Sequence, residues 1–154
     1  LAAFLAAAAP AAAIPRPGDP APAFRLTTAD GKTITNESFR GKALYLNFFA
    51  TWCGPCRVET PGIVAESKKY AARGLRVVGV DVGESAGMAM GFLQDFCVPY
   101  PLAVDSDNST RATYGGGLYF PLHVFIDRKG IVRFYHPGEM SADEIDAAIR
   151  GVLK

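Results

Sequence analysis

A chain of 154 residues with 49% apolar side chains, 20% charged side chains and a net charge of +1 suits a single domain, which buries about 70% of its unfolded surface in one core. That balance excludes a disordered chain and names no nucleic acid or anionic membrane as partner. Three cysteines, Cys53, Cys56 and Cys97, are too few for a disulfide scaffold; the first two suit one redox or metal pair and the third is left over.

Leu1 to Ala13 is alanine-rich and uncharged. It is too short to span a bilayer, which takes about 20 apolar residues. It matches the apolar centre and small-residue end of a secretory signal, with Ala7-Ala8-Ala9 or Ala11-Ala12-Ala13 as cleavage sites. Residues 1–14 are therefore assigned to a signal peptide or anchor remnant, an Ala/Pro-rich leader being the alternative. Export would place the cysteines in an oxidising compartment. Pro15, Pro17, Pro20 and Pro22 predict an extended linker over 15–22, and the folded domain runs over 23–154.

Phe24 to Thr27 and Lys32 to Thr35 flank Ala29-Asp30-Gly31 and predict a hairpin. Ala43 to Phe49 is apolar without alternation, as in a central strand covered on both faces. A helix is expected from Cys53 to about Ala72, stopped by Gly74 before a second buried strand, Leu75 to Val82. Strand, helix and strand in this order predict a parallel unit. Ala89, Phe92, Leu93 and Phe96 share one helical face after Ser85. Tyr100 to Val104 is expected as a short strand and Asn108 to Tyr114 as a short helix. Leu122 to Ile126 and Ile131 to Tyr135 bracket Asp127-Arg128-Lys129-Gly130, a second hairpin. Ser141 with Glu144 forms a capping box before the apolar face Ile145, Ala148, Ile149 and Val152. The fold class is α/β, a central mixed sheet flanked by helices.

Cys53-Gly54-Pro55-Cys56 places two thiols one helical turn apart where a strand hands over to a helix. The sulfur of Cys53 then lies among unpaired N–H groups at the positive end of the helix dipole, which favours thiolate. Moving a thiol pKa from about 8.5 to about 7 raises the thiolate fraction at pH 7 from a few per cent to about half. Cys53 is the expected attacker, and Cys56, a turn further in, the expected resolving thiol. Rival chemistries are weaker. Haem attachment needs His where Arg57 stands, and a zinc site would have to recruit Cys97, His123 or His136, which lack ligand spacing. A fixed structural disulfide would not need the strand-to-helix setting.

The segment Leu46-Asn47-Phe48-Phe49-Ala50-Thr51-Trp52-Cys53-Gly54-Pro55-Cys56-Arg57-Val58-Glu59-Thr60-Pro61 resembles the active site of the thioredoxin superfamily, and most of all its exported TlpA/ResA-like thiol-disulfide oxidoreductases. Gly18 to Phe24, Phe39-Arg40-Gly41-Lys42, Val82-Gly83-Glu84-Ser85 and Phe125 to Gly130 extend the likeness over Gly18 to Lys154. The resemblance implies a thioredoxin-like fold with an N-terminal hairpin and a central helix-strand-helix insert near Ser85 to Gly117. It also implies a periplasmic or outward-facing reductant of protein disulfides, often in cytochrome c maturation, supplied by a membrane thiol electron donor and using no cofactor or metal. By the same resemblance Glu59 is the acid that moves the resolving thiol's proton, Pro121 is a cis-proline beside the disulfide, and Trp52 belongs to the substrate lip, to which the apolar cluster ending in Phe120 is expected to add an unusual part. Thioredoxin has an Asp where Asn47 stands, which leaves Glu59 as the one acid expected near the pair. Pro61 matches a kinking helix proline. Cys97 is expected as a buried small hydrophobe and His123 and His136 as ordinary strand histidines. Leu122-His123 after the proline and Gly115-Gly116-Gly117 before Leu118-Tyr119-Phe120 depart from the family pattern, and the glycine loop is expected to be mobile. Two other functions compete: a metallochaperone or apo-protein binding module using the same thiols, and a thiol peroxidase, which Thr51 fits poorly.

Overall fold

The computed structural model describes residues 14–115 and 119–154. The alanine-rich leader and Gly116, Gly117 and Leu118 of the glycine loop lie outside the described residues. Seven strands form one sheet in the order β2-β1-β5-β4-β3-β6-β7. Its centre is β3 (Ala43–Phe49) and β4 (Leu75–Val82), paired in parallel from Ala43↔Leu75 to Phe49↔Asp81. The helix between them, α1 (Gly54–Tyr70), continues through Pro61 and gives way to a 3-10 turn, Ala71–Arg73, before Gly74 at φ 92. β1 (Arg25–Thr28) and β2 (Thr33–Thr35) form the expected hairpin, and β1 pairs antiparallel with β5 (Leu102–Asp105). β5 starts later than the apolar pattern predicts, because Pro99 and Pro101 bring no N–H to a ladder. The expected insert is present as α2 (Ala86–Asp95), β5 and α3 (Ser109–Thr113). β6 (Leu122–Ile126) pairs antiparallel with both β3 and β7 (Val132–Pro137), and α4 (Ala142–Val152) closes the chain.

Every residue of β3 is buried, which explains its lack of alternation. Tyr45, Phe49, Val77 and Phe125 pack with Ile63 of α1 and Ile145 and Ile149 of α4 on one face. Leu44, Leu46, Phe48, Val78 and Val80 pack with Phe24 and Tyr114 on the other. Residues 15–22 run along the β6–β7 turn, with Gly18 N–H donating to Val132 O and Ala21 N–H to Gly130 O. Among the described residues no helix is long and apolar enough to cross a membrane.

Candidate active site

β3 ends at Phe49, and the loop Ala50 to Cys53 delivers the cysteines to the carboxyl end of the parallel strands. Cys53 is the N-cap of α1, with extended φ −73 and ψ 109, so the helix begins at Gly54 rather than at Cys53 itself. Its sulfur accepts the Cys56 N–H at 3.2 Å and is joined to Cys56 in a disulfide, with Cα atoms 5.3 Å apart. Cys53 is 4% exposed and Cys56 2%. Pro55 sits in the first turn, where a missing N–H costs nothing.

The loop is held from β4's end. Glu84 accepts the Thr51 N–H at 2.6 Å and the Thr51 hydroxyl at 2.8 Å, and the Arg57 guanidinium donates to Thr51 O. Asp81, wholly buried, neighbours Glu84; burial and that carboxylate push its pKa up to about 8. Burial works to raise the Glu84 pKa, but neighbouring Asp81 and the hydrogen bonds from Thr51 bring it below its ordinary value. A proton kept on the wholly buried Asp81 beside an ionised Glu84 is the arrangement expected of two neighbouring acids, and neither Asp81 oxygen has another hydrogen-bond partner among the described residues. Glu59 is therefore not the sole acid at this end of the sheet. The available signal was an acid inside the apolar stretch Val77 to Val82.

Glu59 lies on α1 one turn after Cys56, its side chain 7% exposed. Its Oε1 accepts the Met140 N–H at 2.5 Å. Burial pushes its pKa up to about 7, against the Met140 hydrogen bond, and nearby Glu139 adds to the rise. Its second oxygen faces His123 Nε2 at 3.4 Å. His123 is a strand residue as expected, but sequence spacing does not reveal this partner, which comes from another element.

Trp52 stands 70% exposed beside the disulfide and meets Phe120 edge-on, ring centroids 6.0 Å apart. Arg111 lies over the same Phe120 ring at 4.9 Å, and Tyr119 is exposed next to it. The Phe120–Pro121 bond is cis, and the Pro121 carbonyl accepts the Gly138 N–H. Trp52, the two cysteines, Phe120 and Pro121 thus lie on loops and element ends at one end of the sheet, with Glu59 a turn further along α1. Cys97 departs from expectation. It is exposed, because α2 ends at Asp95 and Cys97 takes a left-handed φ of 49 that turns its side chain outward while Val98 is buried. Among the described residues no group of three or more His, Cys, Asp or Glu is gathered to hold a metal ion.

A disulfide capping the helix after the central strand, in a sheet of this order, defines a thiol-disulfide oxidoreductase with a thioredoxin-like fold. The Redoxin family model matches residues 16–149. The thiol-disulfide oxidoreductase ResA of Bacillus thuringiensis subsp. konkukian is 30% identical over 135 residues, 88% of this chain and 78% of its own length. The thiol:disulfide interchange protein DsbE of Pseudomonas fluorescens biotype C is 35% identical over 122 residues, 79% of this chain and 66% of its own. A crystal structure of a thiol:disulfide interchange protein of the thioredoxin family from Chlorobium tepidum superposes with a TM-score of 0.80 at 36% identity, covering 92% of this chain and all of that one. The chain belongs to the Redoxin family, among its ResA- and DsbE-like thiol-disulfide oxidoreductases.

Proposed function

We propose that the chain reduces protein disulfides outside the cytoplasm by cycling Cys53 and Cys56 between dithiol and disulfide. The observation that carries this is the disulfide at the N-cap of α1, where the Cys53 sulfur already accepts a backbone N–H that would stabilise a thiolate. The Cys53 thiolate attacks a substrate disulfide, one substrate sulfur leaves as thiolate, and the other stays bonded to Cys53. Cys56 then gives its proton to Glu59 and attacks the Cys53 sulfur, which re-forms the internal disulfide and releases the second substrate thiolate. Trp52, Phe120 and Pro121 flank the disulfide and supply the surface on which an extended peptide is laid. Each turnover leaves the pair oxidised, so the cycle needs a thiol donor, assigned here to the membrane. The family setting extends this to cytochrome c maturation by an exported chain, secreted or anchored at the membrane.

The experiment is a trap. Cys56→Ser in the native cell should accumulate mixed disulfides between Cys53 and its protein targets, and Cys53→Ser should accumulate none. Absence of protein adducts in the first variant would reject a protein substrate.

A further inference from the structure

β6 is apolar and buried at Leu122, Val124, Phe125 and Ile126, as its place between β3 and β7 requires. His123 interrupts that run and is itself 0% exposed. A buried imidazole needs a partner for each ring nitrogen. On one side the Tyr45 hydroxyl lies 2.7 Å from Nδ1 and the Asn47 amide nitrogen 3.4 Å from it. Burial raises the Tyr45 pKa, so the phenol keeps its proton, and an amide NH₂ can only donate. The Asn47 NH₂ offers Nδ1 no acceptor, so Nδ1 is the accepting nitrogen, the neutral phenol donates to it, and the ring proton sits on Nε2. That nitrogen lies 3.4 Å from Glu59 Oε2. Neither of these two buried atoms has a hydrogen-bond partner among the described residues, whereas Glu59 Oε1 is satisfied by the Met140 N–H. The Gly138 backbone lies near the imidazole and partly opposes the fall that burial brings to its pKa, and this buried donor and the buried Glu59 acceptor face one another from β6 and α1.

We propose that His123 is a positioning residue for the resolving step: its Nε2–H holds the Glu59 carboxylate in place and favours its ionised form, ready to take the Cys56 proton. This rests on the role given to Glu59 above. As Glu59 ionises, the contact becomes a charge-assisted hydrogen bond and strengthens. The imidazole is not the proton's destination, because burial pushes its pKa down to about 4 and nearby His136 adds to the fall. In the step itself the proton passes from the Cys56 thiol to Glu59, and the Cys56 sulfur forms its bond to Cys53. The bond from Cys53 to the substrate sulfur breaks, and the substrate departs as thiolate. The polar and titratable groups that face this pair are Tyr45 and Asn47 from β3, His136 from β7 at 6.3 Å between ring centroids, and Glu139 with the Gly138 and Met140 backbone from the turn before α4.

Because several groups surround the pair, the test reads Glu59 itself. Its carboxyl carbon is followed by NMR through a pH titration of the oxidised protein, with the resonance assigned by its loss in Glu59→Gln. In parallel, the pH–rate profile is measured for release of thionitrobenzoate from its mixed disulfide with Cys53. His123→Phe removes both ring nitrogens, and His123→Asn carries an amide too short to reach Glu59. Each should raise the Glu59 midpoint by about one pH unit, a tenfold change in proton affinity, and move the rate profile with it. His123→Gln, whose amide N–H reaches the Nε2 position, should return both toward wild type. A Glu59 midpoint unmoved in His123→Asn, or in His123→Phe where it folds, overturns the pairing. A rate profile unchanged by Glu59→Gln overturns the role of Glu59 instead, and the midpoint then decides the pairing alone.

Discussion

At the scale of single residues the two cysteines differ in one respect that matters for chemistry. Cys53 is the helix N-cap and accepts a backbone N–H, while Cys56 lies inside the first turn. Both are nearly covered in the disulfide state, so what separates them is electrostatics at the helix end rather than access. In the reduced protein, Cys53 should therefore alkylate with iodoacetamide at least about tenfold faster than Cys56 at pH 7, with an inflection near pH 7 instead of about 8.5. Equal labelling of the two, read by peptide mass spectrometry, would remove the attacker assignment. Such local relations were open to sequence reasoning, because helix spacing alone places Cys56 and Glu59 one turn apart. The partners of Glu59 were not. His123 and the Met140 N–H reach it from β6 and from the turn before α4, and no period within α1 encodes a contact made by a different element.

Among the elements, α4 was the most legible, since Ser141 and Glu144 form their capping box by a purely local exchange of hydrogen bonds. The end of α2 shows why Cys97 was misplaced. Its apolar pattern continues through Phe96, which suggests a longer helix, yet the chain closes in a Schellman turn. Cys97 N–H donates to Gln94 O, and Val98 N–H donates to Leu93 O. That motif puts its left-handed residue at Cys97, a position glycine ordinarily takes, and gives the apolar contact to Val98. A side chain held at φ 49 carries a backbone cost of about 1 kcal/mol that glycine avoids. Cys97→Gly should accordingly raise the thermal midpoint by about 2–4 °C and leave disulfide reduction unchanged. A lower midpoint in calorimetry would show that the thiol contributes packing that its exposure does not suggest.

Across the whole molecule, three buried titratable groups set the pH dependence of stability, and their signs oppose. Glu59, raised to about 7, and Asp81, raised to about 8, hold protons in the folded chain that the unfolded chain releases near 4.5 and 3.8. Over those windows the folded state binds more protons, so each carboxyl makes stability fall as pH rises. His123, lowered to about 4 from 6.5, binds fewer protons folded than unfolded, and between those values it makes stability rise with pH. Below 6.5 the imidazole offsets one of the two carboxyls. Above 6.5 nothing offsets them, and above about 7 Asp81 alone continues to titrate. The alkaline decline is thus assigned to the carboxyl beside Glu84, at the root of the Thr51 loop. Asp81→Asn keeps the shape but cannot ionise. It should come nearest to wild type at about pH 4 and gain on it as pH rises, by on the order of 4 kcal/mol between pH 5 and pH 9, as read from urea unfolding at both pH values. A constant difference between the two proteins across that range would show that Asp81 does not keep its proton when folded, and the loop would then be anchored by Glu84 without a shared proton.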